Sequence, residues 1–270
     1  MLIVLSPAKA LNFTAGPACA PLTVPRLGEH TAELSKTTKK LRAADLKRMM
    51  DLSDSLAKLN RERFQAFDPE SEDGVQAAFA FNGDVYLGLK ARELDKKALA
   101  FAQEHVRILS GLYGVLRPMD AIQPYRLEMG VRIKTRRGGS LYDFWGPRIA
   151  EMLDADLSGH KDRTLVNCAS TEYFGAVDRK ALKAPVVSCR FLEEKDGEAR
   201  VISFFAKRAR GAMARFAIDN RIKKAADLKA FDADGYRFQP HLSSDEEWTF
   251  ARPQPPLATK ARAARQKEDA

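Results

Sequence analysis

Apolar positions along the chain follow two spacings, and these predict where strands and helices form. Residues Leu2–Leu5 are all apolar, a pattern typical of a short strand buried on both faces of a sheet. From residue 29 to residue 67, apolar residues instead recur every three or four positions among charged ones. That spacing predicts two amphipathic helices with a break near Ala43-Ala44-Asp45.

The remaining chain alternates between short apolar runs and charged stretches with helical spacing. The patterns predict strands at 77–89 (around Asn82-Gly83-Asp84), 106–109 (a strand or a helix end), 125–133 and 164–169, and helices at 95–105, 141–157 and 206–223. Two further strands, 186–192 and 199–205, flank Asp196-Gly197, which favours a hairpin because glycine tolerates positive φ. Residues 236–250 are predicted to form a last hairpin.

This order of elements predicts a single domain of the α+β (mixed α/β) class. Strands and helices mix without the regular alternation of a doubly wound sheet, and 270 residues with 45% hydrophobic content suffice for one elaborated core. We expect the domain to span residues 1–251. Residues 252–270 hold three prolines, several alanines and an excess of basic residues, and are predicted to form a disordered tail.

Charge adds a candidate partner to this picture. Lysine and arginine number 45 against 36 aspartate and glutamate, and a net charge of +9 suits a polyanion, although many enzymes are also basic. Cys19, Cys168 and Cys189 show neither metal nor redox spacing, which fits a reducing compartment. We expect a cytoplasmic protein without a membrane span, and a monomer, since no exposed heptad or long apolar surface helix is evident.

The first candidate site is the predicted helix at 206–223. Its central basic residues are Lys207, Arg208, Arg210 and Arg215. The spacing of Lys207, Arg208 and Arg215 predicts that they share one face, which either contacts DNA phosphates or is simply solvated. A second basic set precedes Gly138-Gly139 and would suit a mobile loop near a nucleic-acid backbone: Arg132, Lys134, Arg136 and Arg137.

A second candidate is the stretch 109–118, in which small residues separate apolar ones. If it were the hairpin of a helix-hairpin-helix module, its glycines would let backbone N–H groups approach a DNA phosphate. The residues concerned are Ser110, Gly111, Gly114 and Arg117. The alternative is a tight structural turn.

Polar and ionisable side chains also follow several predicted strands, where sites often form. Ser6-Pro7-Ala8-Lys9 has the Ser-x-x-Lys spacing of some acyl-transfer enzymes, but it equally fits a helix start, and the companion motifs are missing. The other such residues are Asp84, Tyr125, Arg126, Glu128, Asn167, Ser170 and Glu172. Two carboxylates can share acid and base work, while Lys9 can hold a phosphate or form an imine. For each residue alone, the alternative is a satisfied structural network.

Motifs for tightly held groups are missing from the sequence. It has no Walker loop, and no Gly-x-Gly-x-x-Gly follows a strand. The four histidines are isolated from one another, with no pattern of carboxylates or thiols around them. The sequence therefore predicts no cofactor and no metal site.

Taken together, several segments resemble the YaaA peroxide-stress family. They run in order across residues 1–250: Ser6-Pro7-Ala8-Lys9, 79–89, 109–119, 123–130, 141–146, 169–174 and 202–211. The resemblance implies a family-specific fold with a helix-hairpin-helix-like element and a basic cleft that binds duplex DNA. It also implies resistance to hydrogen peroxide, by limiting oxidative damage to DNA and the free iron that promotes it. The chain departs from the family pattern at Ala10, where threonine is expected, and at Cys168, where an aliphatic residue is common.

Two hypotheses from different classes follow. In the first, the chain is a DNA-binding stress protein with little sequence specificity, in which Arg117, Arg126 and the basic helix contact phosphates. In the second, it is an enzyme of glycosidase or lyase type that acts on damaged nucleic acid or a nucleotide. Its catalytic residues would be Lys9, Asp84, Tyr125, Glu128 and Glu172. The enzyme hypothesis requires these residues to converge in one cleft less than about 10 Å across.

Overall fold

The computed structural model describes residues 1–17, 20–71 and 73–256. The strands are β1 (Leu2–Leu5), β2 (Ala10–Leu11), β3 (Val75–Gln76), β4 (Phe81–Asn82), β5 (Val106–Ser110), β6 (Gly114–Leu116), β7 (Ala121–Ile122), β8 (Leu165–Cys168), β9 (Val186–Lys195), β10 (Glu198–Arg200), β11 (Arg237–Phe238) and β12 (Glu247–Pro253). The helices are α1 (Gly28–Thr38), α2 (Ala43–Met50), α3 (Asp54–Ala66), α4 (Ala77–Ala80), α5 (Asp84–Leu89), α6 (Lys96–His105), α7 (Leu141–Trp145), α8 (Arg148–Leu157), α9 (Thr171–Phe174) and α10 (Ser203–Asp219).

One mixed sheet organises these elements. Its strand order is β11-β12-β9-β8-β1-β5-β6, with β10 beside β9. The five inner strands from β12 to β5 are mutually parallel, whereas β6, β10 and β11 pair antiparallel with their neighbours. Helices and a mostly parallel sheet therefore form a single α/β domain, which confirms the predicted class.

Strand β1 lies in the middle of this sheet because all its side chains are apolar. Each residue of Leu2–Leu5 is fully buried, between β5 on one side and β8 on the other. The chain passes from β1 to β5 and only later crosses back to β8, so the direction of winding reverses at β1. Leu5 is in register with Cys168, which brings the carboxyl ends of β1 and β8 together. In open sheets, such a reversal point leaves a crevice where ligands bind.

Helices α5 and α10 cross in backbone contact because each carries a glycine at the crossing. A Cβ atom on Gly211 would lie 1.7 Å from the carbonyl oxygen of Val85, and one on Gly88 would lie 2.0 Å from that of Arg208. Real side chains do not reach such distances, so only glycine permits this approach. The crossing fixes the spacing between the start of α5 and the middle of α10.

A buried ion-pair cluster joins α8 to β5. The Asp156 carboxylate accepts two hydrogen bonds from Arg26, at 2.5 and 2.6 Å, and one from Arg107 Nε at 2.6 Å. The Asp156 side chain is 6% exposed and that of Arg107 is 5% exposed. Arg107 also donates to the carbonyl oxygens of Gln103 and Val106, so its guanidinium is well satisfied only while Asp156 is present.

The observed elements differ from the predicted ones at several places where caps or positive φ angles end a helix or strand. The region 29–67 forms three helices, because Asp51 adopts a left-handed φ of 50° and Ser53 caps α3. The predicted strand at 77–89 is mainly α4 and α5, with only β4 extended. The predicted helix at 141–157 is divided into α7 and α8 at Gly146-Pro147, where Gly146 has a positive φ. The hairpin at Asp196-Gly197 is confirmed, but residues 203–205 begin α10 rather than end a strand.

The predicted strand at 125–133 is wrong for a different reason. Its alternate side chains are indeed buried: Tyr125, Leu127, Met129, Val131 and Ile133. No neighbouring strand pairs with this segment in the described chain, so it is an extended loop packed on the core. The alternation of apolar and polar residues therefore predicted correctly which side chains are buried, but it predicted wrongly that the segment pairs with another strand.

The carboxyl end of the described chain extends the sheet. Strand β12 runs to Pro253, two residues beyond the predicted domain boundary, and Arg252 is buried against Glu193. Residues 257–270, most of the predicted tail, lie outside the described residues. No helix within the described ranges is long and apolar enough to cross a membrane.

Candidate functional site

A cleft of about 360 Å³ opens at the carboxyl ends of β1 and β8, where the winding of the sheet reverses. Its walls come from the segment after β1, the start of α5, the segment after β8 and the middle of α10. The side chains that matter for its chemistry are Ser6, Lys9, Asp84, Ser170, Glu172, Tyr173, Lys207 and Arg210. The volume is at the lower end of the range typical of small-ligand sites.

The floor of the cleft is a hydrogen-bonded pair of serines. Ser6 Oγ accepts the backbone N–H of Ser170 at 2.8 Å and donates to Ser170 Oγ at 3.3 Å. Asn167, one strand residue before Cys168, is committed to the fold, since it accepts from Ala169 N–H and donates to Ser188 Oγ. The Ser6 side chain thus ties two strand ends together and does not start a helix.

Lys9, Glu128 and Arg126 form a three-residue ion cluster at the rim. Glu128 Oε2 lies 2.8 Å from Lys9 Nζ, and Glu128 Oε1 accepts from Arg126 at 2.9 and 3.2 Å. The Lys9 side chain is still 63% exposed, whereas those of Arg126 and Glu128 are mostly buried. Both oxygens of Glu128 are therefore occupied, and the ion pair holds Lys9 Nζ at the rim.

Two further carboxylates reach the cleft. Glu172 Oε1 accepts the backbone N–H of Gly130 at 2.9 Å, which leaves Oε2 available to a ligand. Asp84 is half-buried in the first turn of α5 and has no ion-pair partner among the residues that the structure describes. Lys9, Asp84 and Glu172 thus line one cleft, and Glu128 contacts Lys9, but Tyr125, the fifth residue of the enzyme hypothesis, does not line it.

Arg210 is the unusual cation of the site. Its Nε atom is buried without a hydrogen-bond partner in the described chain, although the side chain lines an open cleft. Burial lowers the pKa of Arg210 against the opposing influence of Cys168 and Cys189. The Nε–H group in this state has lost water and gained no protein acceptor, and the guanidinium it belongs to lines a cleft where an anion would balance its charge.

The basic helix does not present a single cationic face. Lys207 and Arg210 line the cleft, but Arg208 and Arg215 line a separate groove of about 280 Å³. There, Arg208 pairs with Asp234 at 3.4 Å, and Arg215 pairs with acidic neighbours, Asp219 at 2.8 Å and Glu93 at 3.6 Å. The prediction that Lys207 lies on the same face as Arg208 and Arg215 is therefore wrong. The charges of Arg208 and Arg215 are largely neutralised by their carboxylate partners.

The placement of a helix-hairpin-helix element at 109–118 is also wrong, because Ser110 and Gly114 end and begin the paired strands β5 and β6. Ser110, Gly111 and Gly114 are all buried. Gly111 is small because the Leu127 carbonyl oxygen lies 2.3 Å from where a Cβ would be, and Gly114 has a φ of 71° beside Trp145. These glycines are buried and serve packing.

Tyr125 and Arg117 are likewise occupied elsewhere. Tyr125 is buried, hydrogen-bonds Ser110 Oγ at 2.6 Å, and has its pKa raised above the ordinary value by burial. It does not line the cleft and is unsuited to catalysis there. Arg117 binds Asp120 at 2.8 Å and the Val24 carbonyl at 3.0 Å, beyond the far edge strand β6.

One residue of the site was not among the predicted catalytic or binding residues. Tyr173 lines the cleft, and burial raises its pKa well above the ordinary value, so it is a neutral phenol. It directly follows Glu172, so the polar run after β8 was the available signal.

A larger cavity, of about 970 Å³, lies at the opposite end of β1 and is lined by His105, His160 and Asp162 among others. The His105 and His160 rings stack edge to face at 4.7 Å. Burial lowers the pKa of His160 to about 4 and also lowers that of His105. In open sheets of this kind, ligands bind at the carboxyl ends of the strands. We therefore interpret the neutral imidazoles at the amino end of β1 as structural.

We expect His160 to make stability depend on pH. Its pKa is about 4 when folded and 6.5 ordinarily, so between these values the unfolded chain binds the proton more readily. The free energy of unfolding should therefore fall as the pH drops from 6.5 toward 4, by about 1 kcal/mol after allowance for the exposure of the ring. Urea unfolding of His160→Asn at pH 7 and 5 should show a smaller difference than the parent chain.

The control is His241→Asn, which changes an exposed histidine and should keep the parent's pH dependence. If His160→Asn keeps it too, the buried imidazole is not its source. His105 remains in both variants, so a reduced dependence is expected rather than none.

Comparison with known proteins gives one consistent family. Residues 1–242 match the family model described as peroxide stress protein YaaA. A UPF0246 protein of Phenylobacterium zucineum is 74% identical over 269 residues, covering 100% of both chains. A UPF0246 protein of Caulobacter vibrioides is 68% identical over 255 residues, covering 94% of this chain and 100% of its own. One from Maricaulis maris is 55% identical over 263 residues, covering 97% of this chain and 100% of its own.

Proposed function

This chain belongs to the peroxide stress protein YaaA family, and on that premise we propose that it acts in peroxide stress by binding DNA at the β1–β8 cleft. Phosphates of the DNA backbone contact the cationic groups of the cleft. Bound protein then shields DNA from oxidative damage, and any effect on free iron is indirect. Sequence specificity is low, because the cleft offers cations for phosphates and no row of base-reading side chains.

The observation that carries this proposal is the buried, unpartnered Nε of Arg210 beside an open cleft. Arginine is rarely left without an acceptor when its guanidinium is desolvated. A phosphate oxygen supplies that acceptor and restores the charge balance. The same geometry gives no comparable reason for Arg208 or Arg215, which already have carboxylate partners.

Exposed cations continue from the cleft along the surface. Lys207 stands at its rim, and the Gly130 backbone N–H donates to Glu172 just before an exposed basic loop. That loop carries Arg132, Lys134 and Arg136, all exposed. Because backbone phosphates recur along DNA, a cleft cation followed by exposed cations suits a strand that passes over the opening.

The test is fluorescence anisotropy of a labelled duplex across a salt series. Lys207→Ala should weaken binding several-fold for every sequence and reduce the salt slope by about 1, since one phosphate contact is lost. Arg208→Ala is the matched control: it removes the neighbouring charge on the same helix, but from the other groove. It should leave the slope within error of the parent.

Equal effects of the two variants would show that the net charge of α10, and not the cleft, attracts DNA. Absence of duplex binding at low salt would overturn the proposal altogether.

A second candidate, an enzyme acting on damaged nucleic acid, is favoured by one observation. Lys9, Asp84 and Glu172 line the same cleft, and Glu128 contacts Lys9. Paired carboxylates at a phosphate site suit general acid and base work on a glycosidic bond. Incubation with oligonucleotides carrying an oxidised or abasic site, followed by product separation, tests this: cleavage lost in Glu172→Gln supports it, and intact oligonucleotide rejects it.

A further inference from the structure

The cleft presents charges of both signs, and this restricts what it can hold. Arg210 and Lys207 project from α10, whereas Asp84 projects from α5 and Glu172 follows β8. A bare phosphate would be attracted by the first pair and repelled by the second. A ligand with an anionic end and a hydrogen-bond-donating end matches both pairs.

Asp84 and Arg210 are held at a fixed separation. Their helices cross in backbone contact at Gly88 and Gly211, so neither wall can move far without breaking that contact. Each side chain is partly buried, and neither ion-pairs with another described residue. Two opposite charges that share a cleft without pairing with each other can each bind a different end of one ligand.

The surface between the charges is apolar and aromatic. Pro7, Ala8 and Val85 line it together with the neutral phenol ring of Tyr173. Enzymes and binding proteins that receive an unstacked base use such apolar and aromatic walls, with hydrogen bonds to the edge of the base.

From this arrangement we propose that the cleft holds one nucleotide that has left the base stack. Its phosphate binds Arg210 and Lys207, and N–H donors of its base bind Asp84 and Glu172. The proposal rests on the DNA binding proposed above and specifies what enters the cleft. A volume of about 360 Å³ admits one nucleotide and excludes a length of duplex. Because unpaired bases cost least to unstack, the protein binds DNA with an unpaired nucleotide in preference to fully paired DNA.

The experiment compares two labelled duplexes that differ only in one bulged nucleotide. The parent protein should bind the bulged duplex about tenfold more tightly, as expected for hydrogen bonds to a charged group. Asp84→Ala should lose that preference to within about twofold, measured as the ratio of the variant's affinities for the two duplexes. Circular dichroism establishes that the variant is folded; if it is not, Asp84→Asn replaces it and should lose part of the preference.

Glu93→Gln is the control, because it removes a carboxylate from the other groove and should keep the full preference. Equal affinity of the parent protein for both duplexes would overturn this proposal and leave DNA binding intact. A preference that survives in Asp84→Ala would also overturn it. If neither duplex binds, the proposed function fails, and the nucleotide site fails with it.

Discussion

Replacing Gly211 by alanine should destabilise the protein by about 3 kcal/mol or more, at the upper end of overpacking effects. The new Cβ would lie 1.7 Å from the Val85 carbonyl oxygen, which belongs to the backbone of α5 and cannot rotate away. Helices α5 and α10 must then separate, and the better helix propensity of alanine, worth about 1 kcal/mol, does not compensate. Urea unfolding followed by circular dichroism measures the loss.

Gly28→Ala is the matched control, since nothing lies within 4 Å of a Cβ at that first residue of α1. It should be neutral or slightly stabilising. A Gly211→Ala protein as stable as the parent would mean that the two helices are not in contact as described. The same separation would widen the cleft, so any folded Gly211→Ala protein should also bind DNA less tightly.

Asp156→Asn should cost about 3–5 kcal/mol, the loss typical of removing one partner from a buried ion pair. Arg107 would keep its charge in a site where it is 5% exposed, with only two carbonyl acceptors left. Glu151→Gln, on the exposed side of the same helix α8, is the control and should change stability by less than about 0.5 kcal/mol. Thermal and urea unfolding of the parent protein, Asp156→Asn and Glu151→Gln measure these changes in stability.

Acid provides a second measurement on the same cluster. Burial alone would raise the pKa of Asp156, but hydrogen bonds from Arg26 and Arg107 outweigh it and hold the pKa below 3.8. A carboxylate with a lowered pKa stabilises the fold above its unfolded value and loses that contribution as the pH falls through the folded one. The difference between parent and Asp156→Asn should therefore shrink below about pH 3.8. A difference that persists there would point to packing instead of charge.

The sequence predicted strands correctly where a buried segment also pairs with neighbouring strands. The run Leu2–Leu5 could only be an inner strand, and Asp196-Gly197 could hardly be anything but a hairpin turn. The segment 125–133 was mispredicted because its alternating burial comes from the core beneath it, without a partner strand. Likewise, the glycines at 111 and 114 have the same appearance in sequence whether they approach a phosphate or, as here, Leu127 and Trp145.

The sequence predicted several of the residues that line the candidate site, but not how they are arranged in space. Polar residues after β1 and β8 were expected to meet, and Lys9, Asp84, Ser170 and Glu172 do line one cleft. Helical spacing could not show that Lys207 and Arg208 face different cavities, because that depends on where α5 crosses α10. Nor could it show that Arg210 lacks an acceptor, since an unpartnered atom is a property of the assembled neighbours.

The central place of β1 also has a consequence for biosynthesis. Its four buried residues pair with β5 and β8, and Leu5 meets Cys168 only after more than half of the chain has been made. At about 5–20 residues per second, an apolar strand therefore waits on the order of ten seconds or more on the ribosome without its neighbours. Such late closure gives slow folding and a nascent chain open to aggregation. The first strand to be made is thus among the last to receive both of its neighbours.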